Sequence, residues 1–296
     1  MRAYTVVAGA THGLVDVEEL LSIVQSLAPD RAPGAVPRLA APLRAELRAM
    51  LAFDFEEPFI VTRSPGRMDV MGGIADYSGS LVLEMPIAEA VVVALQRRSD
   101  RRICCASIKD SGAVRAREAF TWSGTVDDLV DARGEPIAYD ASRALFRGER
   151  EWAGYVVGTL LVLMREKGVA LGGRGFNILL RSKVPVGKGV SSSAALEVAS
   201  MNALLAAFEA GSSVDGVEVA TLCQLAENRV CGAPCGLMDQ MTVSMGKQDE
   251  LLALLCQPDQ LLGTISIPPH MRFWAIDSGV RHALAHAGEA PGADYA

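Results

Sequence analysis

Apolar runs along the 296-residue chain are interrupted by glycine and proline, and their spacing predicts a mixture of helices and strands. Val15–Leu27 has helical spacing and Arg44–Phe53 reads as a second helix. Pro29, Pro33, Pro37 and Pro42 mark the stretch between them as a loose connector. Residues 1–55, which include a short apolar run at Tyr4–Ala8, are therefore expected to form an N-terminal extension without recognisable chemistry. From Pro58 the texture changes. Phe59–Arg63 is a short β-branched run ending at Pro65-Gly66, and Leu81–Arg97 is a strand-rich block around Val91, Val92 and Val93, so Ser64–Gly79 is expected to be a loop between two strands. In Trp152–Lys167, Tyr155, Val156, Thr159, Leu160 and Leu163 recur at helical spacing, with Gly168 placed to end the helix. Phe176–Leu180 predicts a strand, Pro185–Gly189 a loop, and Ser191–Ala210 a long helix closed by Gly211. Val217–Val230 predicts a further helix whose buried stripe is Val219, Leu222, Ala226 and Val230, with Glu227 at its edge.

Composition narrows the class of protein. Hydrophobic residues make up 50% and charged residues 21%, which excludes intrinsic disorder, and the length predicts about two domains. A net charge of −7 argues against a nucleic-acid-binding surface, which needs clustered Lys and Arg, and favours small-molecule partners. The six cysteines form no C-x-x-C pair and are expected to be reduced thiols. The first residues lack a basic segment followed by a sustained apolar core, and no stretch approaches the length needed to cross a bilayer, so a cytoplasmic protein is expected.

The loop Val184-Pro185-Val186-Gly187-Lys188-Gly189-Val190-Ser191-Ser192-Ser193-Ala194-Ala195 has what a polyphosphate requires. Its glycines let the backbone approach an anion, and the free N–H groups at the start of the following helix favour negative charge. A serine in the first helical turn is placed to reach a phosphate-bound Mg²⁺. The plainer reading is a serine N-cap after a glycine turn. Lys188 is followed by Gly189, so this is not a Walker A loop, and Ser192 stands where a dinucleotide-binding turn would have its third glycine.

With two further segments, this loop resembles the GHMP kinase superfamily, and within it the galactokinase group, from about Pro58 onward. The first segment is Ser64-Pro65-Gly66-Arg67-Met68-Asp69-Val70-Met71-Gly72-Gly73-Ile74-Ala75-Asp76-Tyr77-Ser78-Gly79. The other is Ala226-Glu227-Asn228-Arg229 through Gly232-Ala233-Pro234-Cys235-Gly236-Leu237-Met238-Asp239-Gln240. The resemblance implies an α+β fold of the ribosomal protein S5 domain 2-like type: a mixed sheet with helices on one side, 56–262 forming the ATP-binding domain and 263–296 the beginning of a second, truncated domain. It also implies that a third, glycine-rich motif belongs beyond Ile276–His282 and is missing from a chain that stops at Ala296.

The implied chemistry is phosphoryl transfer from ATP to a sugar hydroxyl, which is largely positioning and charge stabilisation. By resemblance, the amides of Gly187, Lys188, Gly189, Val190, Ser191 and Ser192 cradle phosphates, Ser193 and Glu227 hold Mg²⁺, Asp239 orients or deprotonates the anomeric hydroxyl, and Arg67 keeps Asp239 ionised. Plainer alternatives stand beside these roles: Glu227 as a solvated helix edge, an Arg67–Asp76 structural ion pair, and Asp239 as the N-cap of a helix starting near Gln240. His282 and His286 have a metal-compatible spacing that no further ligand completes, and are expected at the surface.

The first motif departs from galactokinases where those enzymes read Gly-Glu-His-Thr-Asp-Tyr. This chain reads Gly72-Gly73-Ile74-Ala75-Asp76-Tyr77. The resemblance gives Asp76 the ring hydroxyls shared by galactose and L-arabinose, while Gly73, beside Tyr77, lacks the glutamate that contacts the C6 hydroxyl. L-arabinose has no C6, and the string also resembles the L-arabinokinase branch, so L-arabinose is the expected substrate, converted to β-L-arabinose 1-phosphate. Galactose phosphorylation, a non-catalytic sugar or nucleotide binder, and an inactive fragment are the alternatives.

Overall fold

The computed structural model describes Gly9 and residues 12–29, 39–73, 75–110, 117–211 and 214–279. Tyr4–Ala8, Pro33, Pro37, Ile74, His282 and His286 lie outside the described residues. In chain order the elements are α1 (Val15–Ser26), α2 (Ala41–Leu51), β1 (Ile60–Met71), α3 (Ala75–Ser78), β2 (Leu81–Arg97), β3 (Arg102–Asp110), β4 (Arg117–Thr125), α4 (Tyr139–Ser142), α5 (Glu151–Glu166), β5 (Phe176–Ser182), α6 (Ser192–Ala207), α7 (Gly216–Leu225), α8 (Met238–Met245), β6 (Glu250–Leu255) and β7 (Gln260–Ser266).

Seven strands form one mixed sheet in the order β4-β3-β5-β2-β6-β7, with β1 also pairing β2. Among the described residues the only parallel neighbours are β3 and β5; the other pairs are antiparallel. The long β2 organises the sheet. Its C-terminal half, Val91–Arg97, pairs with β5, its first residues, Leu81–Glu84, pair with β6, and β1 follows it from Leu83 to Leu95. β7 carries the sheet through Ser266, past the boundary expected after residue 262.

Helices cover both faces of the sheet, whereas one covered side was expected. Alternation along β2 sends Val91, Val93 and Leu95 to a core with α5 and α6, and Val92 and Ala94 to a second core with Leu20, Ile23, Leu47 and Leu51 of α1 and α2. Because β2 is apolar on both faces, neither can be left to water. Pro42, read as part of a connector, lies in the first turn of α2, where a missing N–H costs nothing. α1 is also pinned by ion pairs from Arg63 to Asp16 and from Arg181 and Lys183 to Glu19.

The expected loop Ser64–Gly79 is half strand. β1 runs through Pro65-Gly66 to Met71; the first of two irregularities in its pairing with β2 falls between Pro65 and Arg67 and absorbs Gly66, and the second falls between Asp69 and Met71. The helix expected over Ser191–Ala210 ends at Ala207. Glu209, with φ +56°, takes the left-handed position, and the N–H groups of Glu209 and Ala210 bond Ala206 and Leu205, closing the helix before Gly211. The helix expected over Val217–Val230 is α-helical only to Leu225 and continues as a π-helical segment, Ala226–Cys231. Among the described residues, no helix is long and apolar enough to cross a membrane.

Leu20 is fully buried between α1 and the sheet. Leu20→Ala is expected to destabilise the chain by about 2–5 kcal/mol through the cavity it opens. Urea denaturation measures this, and an unchanged midpoint would show that α1 contributes nothing to the core.

Candidate functional site

Three segments meet at one end of the sheet. β1 brings Arg67, the loop 183–191 leads into α6, and the π-helical segment with α8 brings Glu227 and Asp239. The loop sits tightly on β1: a Cβ at Gly66 would fall 2.7 Å from the Val190 carbonyl oxygen, and the Arg67 N–H donates to that same oxygen at 3.2 Å. Only glycine permits this approach. The pairing irregularity between Pro65 and Arg67 turns the Arg67 side chain toward the loop and α8.

Arg67 is buried and has the most partners in the site. Its Nε and Nη2 donate to Asp239 Oδ1 at 2.8 and 2.6 Å, its Nη1 donates to the Gly189 carbonyl at 2.6 Å, and its Nε lies 3.3 Å from Glu84 Oε2. Burial disfavours its charge, but the Asp239 and Glu84 carboxyls more than offset this and hold the guanidinium above its ordinary range. The expected alternative of an Arg67–Asp76 ion pair does not form. Asp76 Oδ1 instead accepts the Met238 N–H at 3.4 Å, and its carboxyl receives the Cys256 thiol.

The phosphate-loop reading gains a local explanation. Gly187 and Gly189 have φ of +70° and +68°, and Ser191 stands in the left-handed region at +57°. Ser191 occupies the N-cap position of α6, yet its side chain caps nothing and its buried Oγ has no partner. The plain serine-cap reading therefore fails, and the first N–H groups of α6 have no capping side chain. The strained serine thus leads into α6 directly after Gly189, whose carbonyl accepts from Arg67. Lys188 is engaged in an ion pair with Asp277 at 2.7 Å.

Ser193, in the first turn of α6, lies against the Glu227 carboxyl. Glu227 is buried, not a solvated helix edge: the π-helical segment rotates it inward, a distortion common at functional sites. Burial first, then the nearby Asp239 charge, push its carboxyl up to about 7. Gln240 donates to Glu227 at 2.6 Å and to the fully buried Glu197 at 3.2 Å, and burial together with Glu227 raises Glu197 well above the usual carboxylate range. Asp239 is the second residue of α8, and the N-cap position belongs to Leu237, so Asp239 does not cap that helix. Asp76 takes part of that task from another segment through the Met238 N–H.

On the far side of Asp239, burial and then the Asp239 charge raise Asp76 to about 6. A Cβ at Gly236 would collide with the Asp76 carboxyl, so the glycine makes room for it. Asn228 holds this return loop in place, accepting from the Cys235 N–H at 2.8 Å and donating to its carbonyl at 3.3 Å. Tyr77 is half-exposed, and burial followed by the charges of this cluster raises its hydroxyl. Gly73, with φ +57°, donates its N–H to Asp69. Ser193, Glu227, Asp239, Arg67 and Asp76 thus share one cleft. Sequence reading missed Glu84, Asp69, Glu197 and Gln240. One signal was available: Glu84 lies two residues after Val82 on a strand, which puts an acid on a buried face.

Among the described residues, no cluster of three His, Cys, Asp or Glu side chains forms a closed metal cage. An excess of carboxyl groups beside one serine hydroxyl is a hard-oxygen donor set that suits Mg²⁺ held jointly with phosphate oxygens.

Comparison with known proteins agrees with this geometry. Residues 154–247 match the family described as GHMP kinases N terminal domain, and residues 52–97 match the galactokinase galactose-binding signature. The chain carries a GHMP kinase N-terminal domain. It is 47% identical to an L-arabinokinase of Arabidopsis thaliana over 82% of its length, and 33% identical to a galactokinase of Chloroflexus aggregans over 77%. It spans 24% and 51% of those two relatives, respectively. A crystal structure of Lactococcus lactis galactokinase shares the fold, with a TM-score of 0.57 and 22% identity, covering 77% of this chain and 51% of that one.

Arg67→Met removes the charge that faces Asp239 and Glu84 and leaves the Gly189 carbonyl unpaired. A loss on the order of 3 kcal/mol is expected in urea denaturation at neutral pH, because the remaining groups keep their desolvation cost without a partner. Wild-type stability in this variant would show that the pairing does not hold the cleft together.

Proposed function

We propose that this chain is the nucleotide- and sugar-binding part of an ATP-dependent sugar-1-kinase acting on L-arabinose. The observation that carries the reading is the convergence of Ser193, Glu227, Asp239 and Arg67 at the start of an uncapped helix. In this reading the ATP-binding domain expected over 56–262 extends through β7 to Ser266, and a second one begins beyond it. The glycine loop and the α6 amides of residues 187–192 bind the triphosphate. Ser193 and Glu227 hold Mg²⁺, which supplies charge neutralisation on the phosphates.

Asp239 receives both Arg67 contacts on Oδ1, so its Oδ2 is left for the anomeric hydroxyl of the sugar. Held by the guanidinium, this carboxyl orients the attacking oxygen and takes its proton as the bond to phosphorus forms. Asp76 accepts from ring hydroxyls, with Tyr77 beside it. Gly73 offers no side chain to a C6 hydroxyl, and its N–H is already engaged by Asp69. A hexose would therefore bury a hydroxyl without a partner, at about 1–3 kcal/mol, or roughly 10- to 100-fold in rate. The 47% identity to an L-arabinokinase supports the pentose. The match to the galactose-binding signature keeps galactose as the second reading.

Rates of ADP release with L-arabinose and with galactose test the substrate. L-arabinose is expected to lead by the factor given above, and a clear preference for galactose would overturn it. Asp239→Asn is expected to lower transfer by about 10²- to 10⁴-fold. Calorimetry with MgATP and with sugar separates an enzyme from a binder that transfers nothing.

Gly236→Ala tests the sugar subsite separately. The added methyl displaces the Asp76 carboxyl. Weaker L-arabinose binding with unchanged MgATP binding is the expected calorimetric result, whereas equal loss of both would place Asp76 outside the sugar subsite.

A further inference from the structure

Beneath Arg67 lies a carboxyl group to which the proposed reaction assigns no task. Glu84 projects from β2 into the floor of the cleft and is fully buried. Neither of its oxygens receives a hydrogen bond from a standard donor. Its Oε2 lies 3.3 Å from Arg67 Nε, without a formed hydrogen bond, because that Nε is directed at Asp239. Its register partner on β1 is Asp69, so the two carboxyls face each other across the ladder. Asp69 in turn accepts the Gly73 N–H and so sets the turn that leads to Asp76 and Tyr77.

Two facing carboxyls with no donor between them, one of them fully buried, are stable only if they share a proton, since an ionised Glu84 is unsolvated and repels Asp69. We infer that Glu84 is a neutral carboxylic acid that donates its proton to Asp69, and in this form is a positioning residue for both Arg67 and the Gly72–Gly73 turn. The neutral form leaves the guanidinium charge to Asp239. The bond to Asp69 keeps that carboxylate fixed as the acceptor for Gly73. An ionised Glu84 would instead compete with Asp239 for Arg67 and would repel Asp69.

The titratable and charged groups facing Glu84 are Arg67 and Asp69 on β1, Asp239 on α8 and the Cys256 thiol just after β6, while its register neighbour on β6, Leu252, is apolar. Burial is the largest influence and raises Glu84 to about 9; Arg67 opposes it, and Asp69 and Asp239 add to it. The folded chain therefore keeps a proton that the unfolded chain releases in the ordinary carboxylate range. The stability this proton supplies is present in acid and is lost as pH rises toward about 9.

The test compares this chain with its Glu84→Gln and Asp69→Asn variants in urea denaturation between pH 5 and pH 9.5. Glutamine keeps the shape of Glu84 and a donor toward Asp69 but has no proton to lose. Asparagine at 69 gives Glu84 a neutral donor, so the acid ionises at lower pH. For one proton, the unfolding constant of the wild type is expected to rise with pH by up to about tenfold per unit relative to Glu84→Gln. Asp69→Asn is expected to flatten the same slope. Asp76 and Glu227 titrate in this range in all three proteins and cancel in the comparison. Parallel curves for all three overturn the proposal.

A second readout rests on the proposed sugar-kinase activity. The wild-type rate is expected to fall as pH passes about 9 and Glu84 ionises, with this alkaline limb absent in Glu84→Gln. An alkaline limb retained in the variant argues against the positioning role. If no sugar is phosphorylated at any pH, the functional reading fails, while the stability comparison still decides where the proton sits.

Discussion

The cleft depends on one buried positive charge. Arg67 lies where β1, the phosphate-type loop and α8 meet, and it bonds or closely faces a group from each neighbouring segment: the Gly189 carbonyl, Asp239 and, from β2, Glu84. Without it, several acids would crowd a poorly solvated space, where carboxylates ionise only at high cost. With it, Asp239 has a directly bonded cation at the edge of the cleft while Asp76, Glu84 and Glu227 are pushed toward neutrality. The raised ranges of Asp76, Glu84 and Glu227 reflect the same constraint: more acidic groups than local cations, in a space with little water.

Such crowding destabilises an empty cleft and favours a cationic ligand. A Mg²⁺–triphosphate complex would relieve both sides of the imbalance, its cation answering Glu227 and its anion meeting the α6 amides. The backbone is strained in the same direction. Ser191 adopts a left-handed conformation that an ordinary helix cap would not need, and the hydroxyl that normally satisfies the first amides is buried without a partner. The π-helical segment at Glu227 likewise departs from a regular helix to bring an acid inward. Strain at two separate segments, each exposing groups suited to one half of the same ligand, is a stronger indication of binding than either alone.

The regular elements were legible because their patterns are strong. β2 was read with its observed limits, and α5 and β5 to within a few residues, since apolar periodicity and glycine punctuation agree there. β1 was truncated in the reading because Pro65-Gly66 signals a break in isolation, and only pairing with β2 shows that a bulge absorbs it. The role of α1 and α2 was hidden for a similar reason: which face of the sheet needs a cover depends on β2 being apolar on both sides, and sequence does not say which helices supply it. In the cleft, Arg67, Glu227 and Asp239 stood out through a resemblance that spans three segments. Glu84 and Asp69 belong to no such motif, and their meaning appears only when the ladder sets them opposite each other.

In the proposed reaction, that cross-strand pair links the chemistry of the floor to the choice of sugar. Asp69 fixes Gly73 by its N–H, and in the proposed sugar site Gly73 stands where a longer acidic side chain would reach toward a hexose's outer hydroxyl. A glutamate placed there would stand beside Asp69, whose carboxyl already faces Glu84, while the Arg67 charge is committed to Asp239. The additional charge would need a partner that this floor does not supply. Substrate preference in the proposed reaction therefore follows from electrostatic crowding as much as from the shape of the sugar, and restoring the glutamate alone is insufficient to restore a hexose site unless the Asp69–Glu84 pair is replaced by groups that can donate to it.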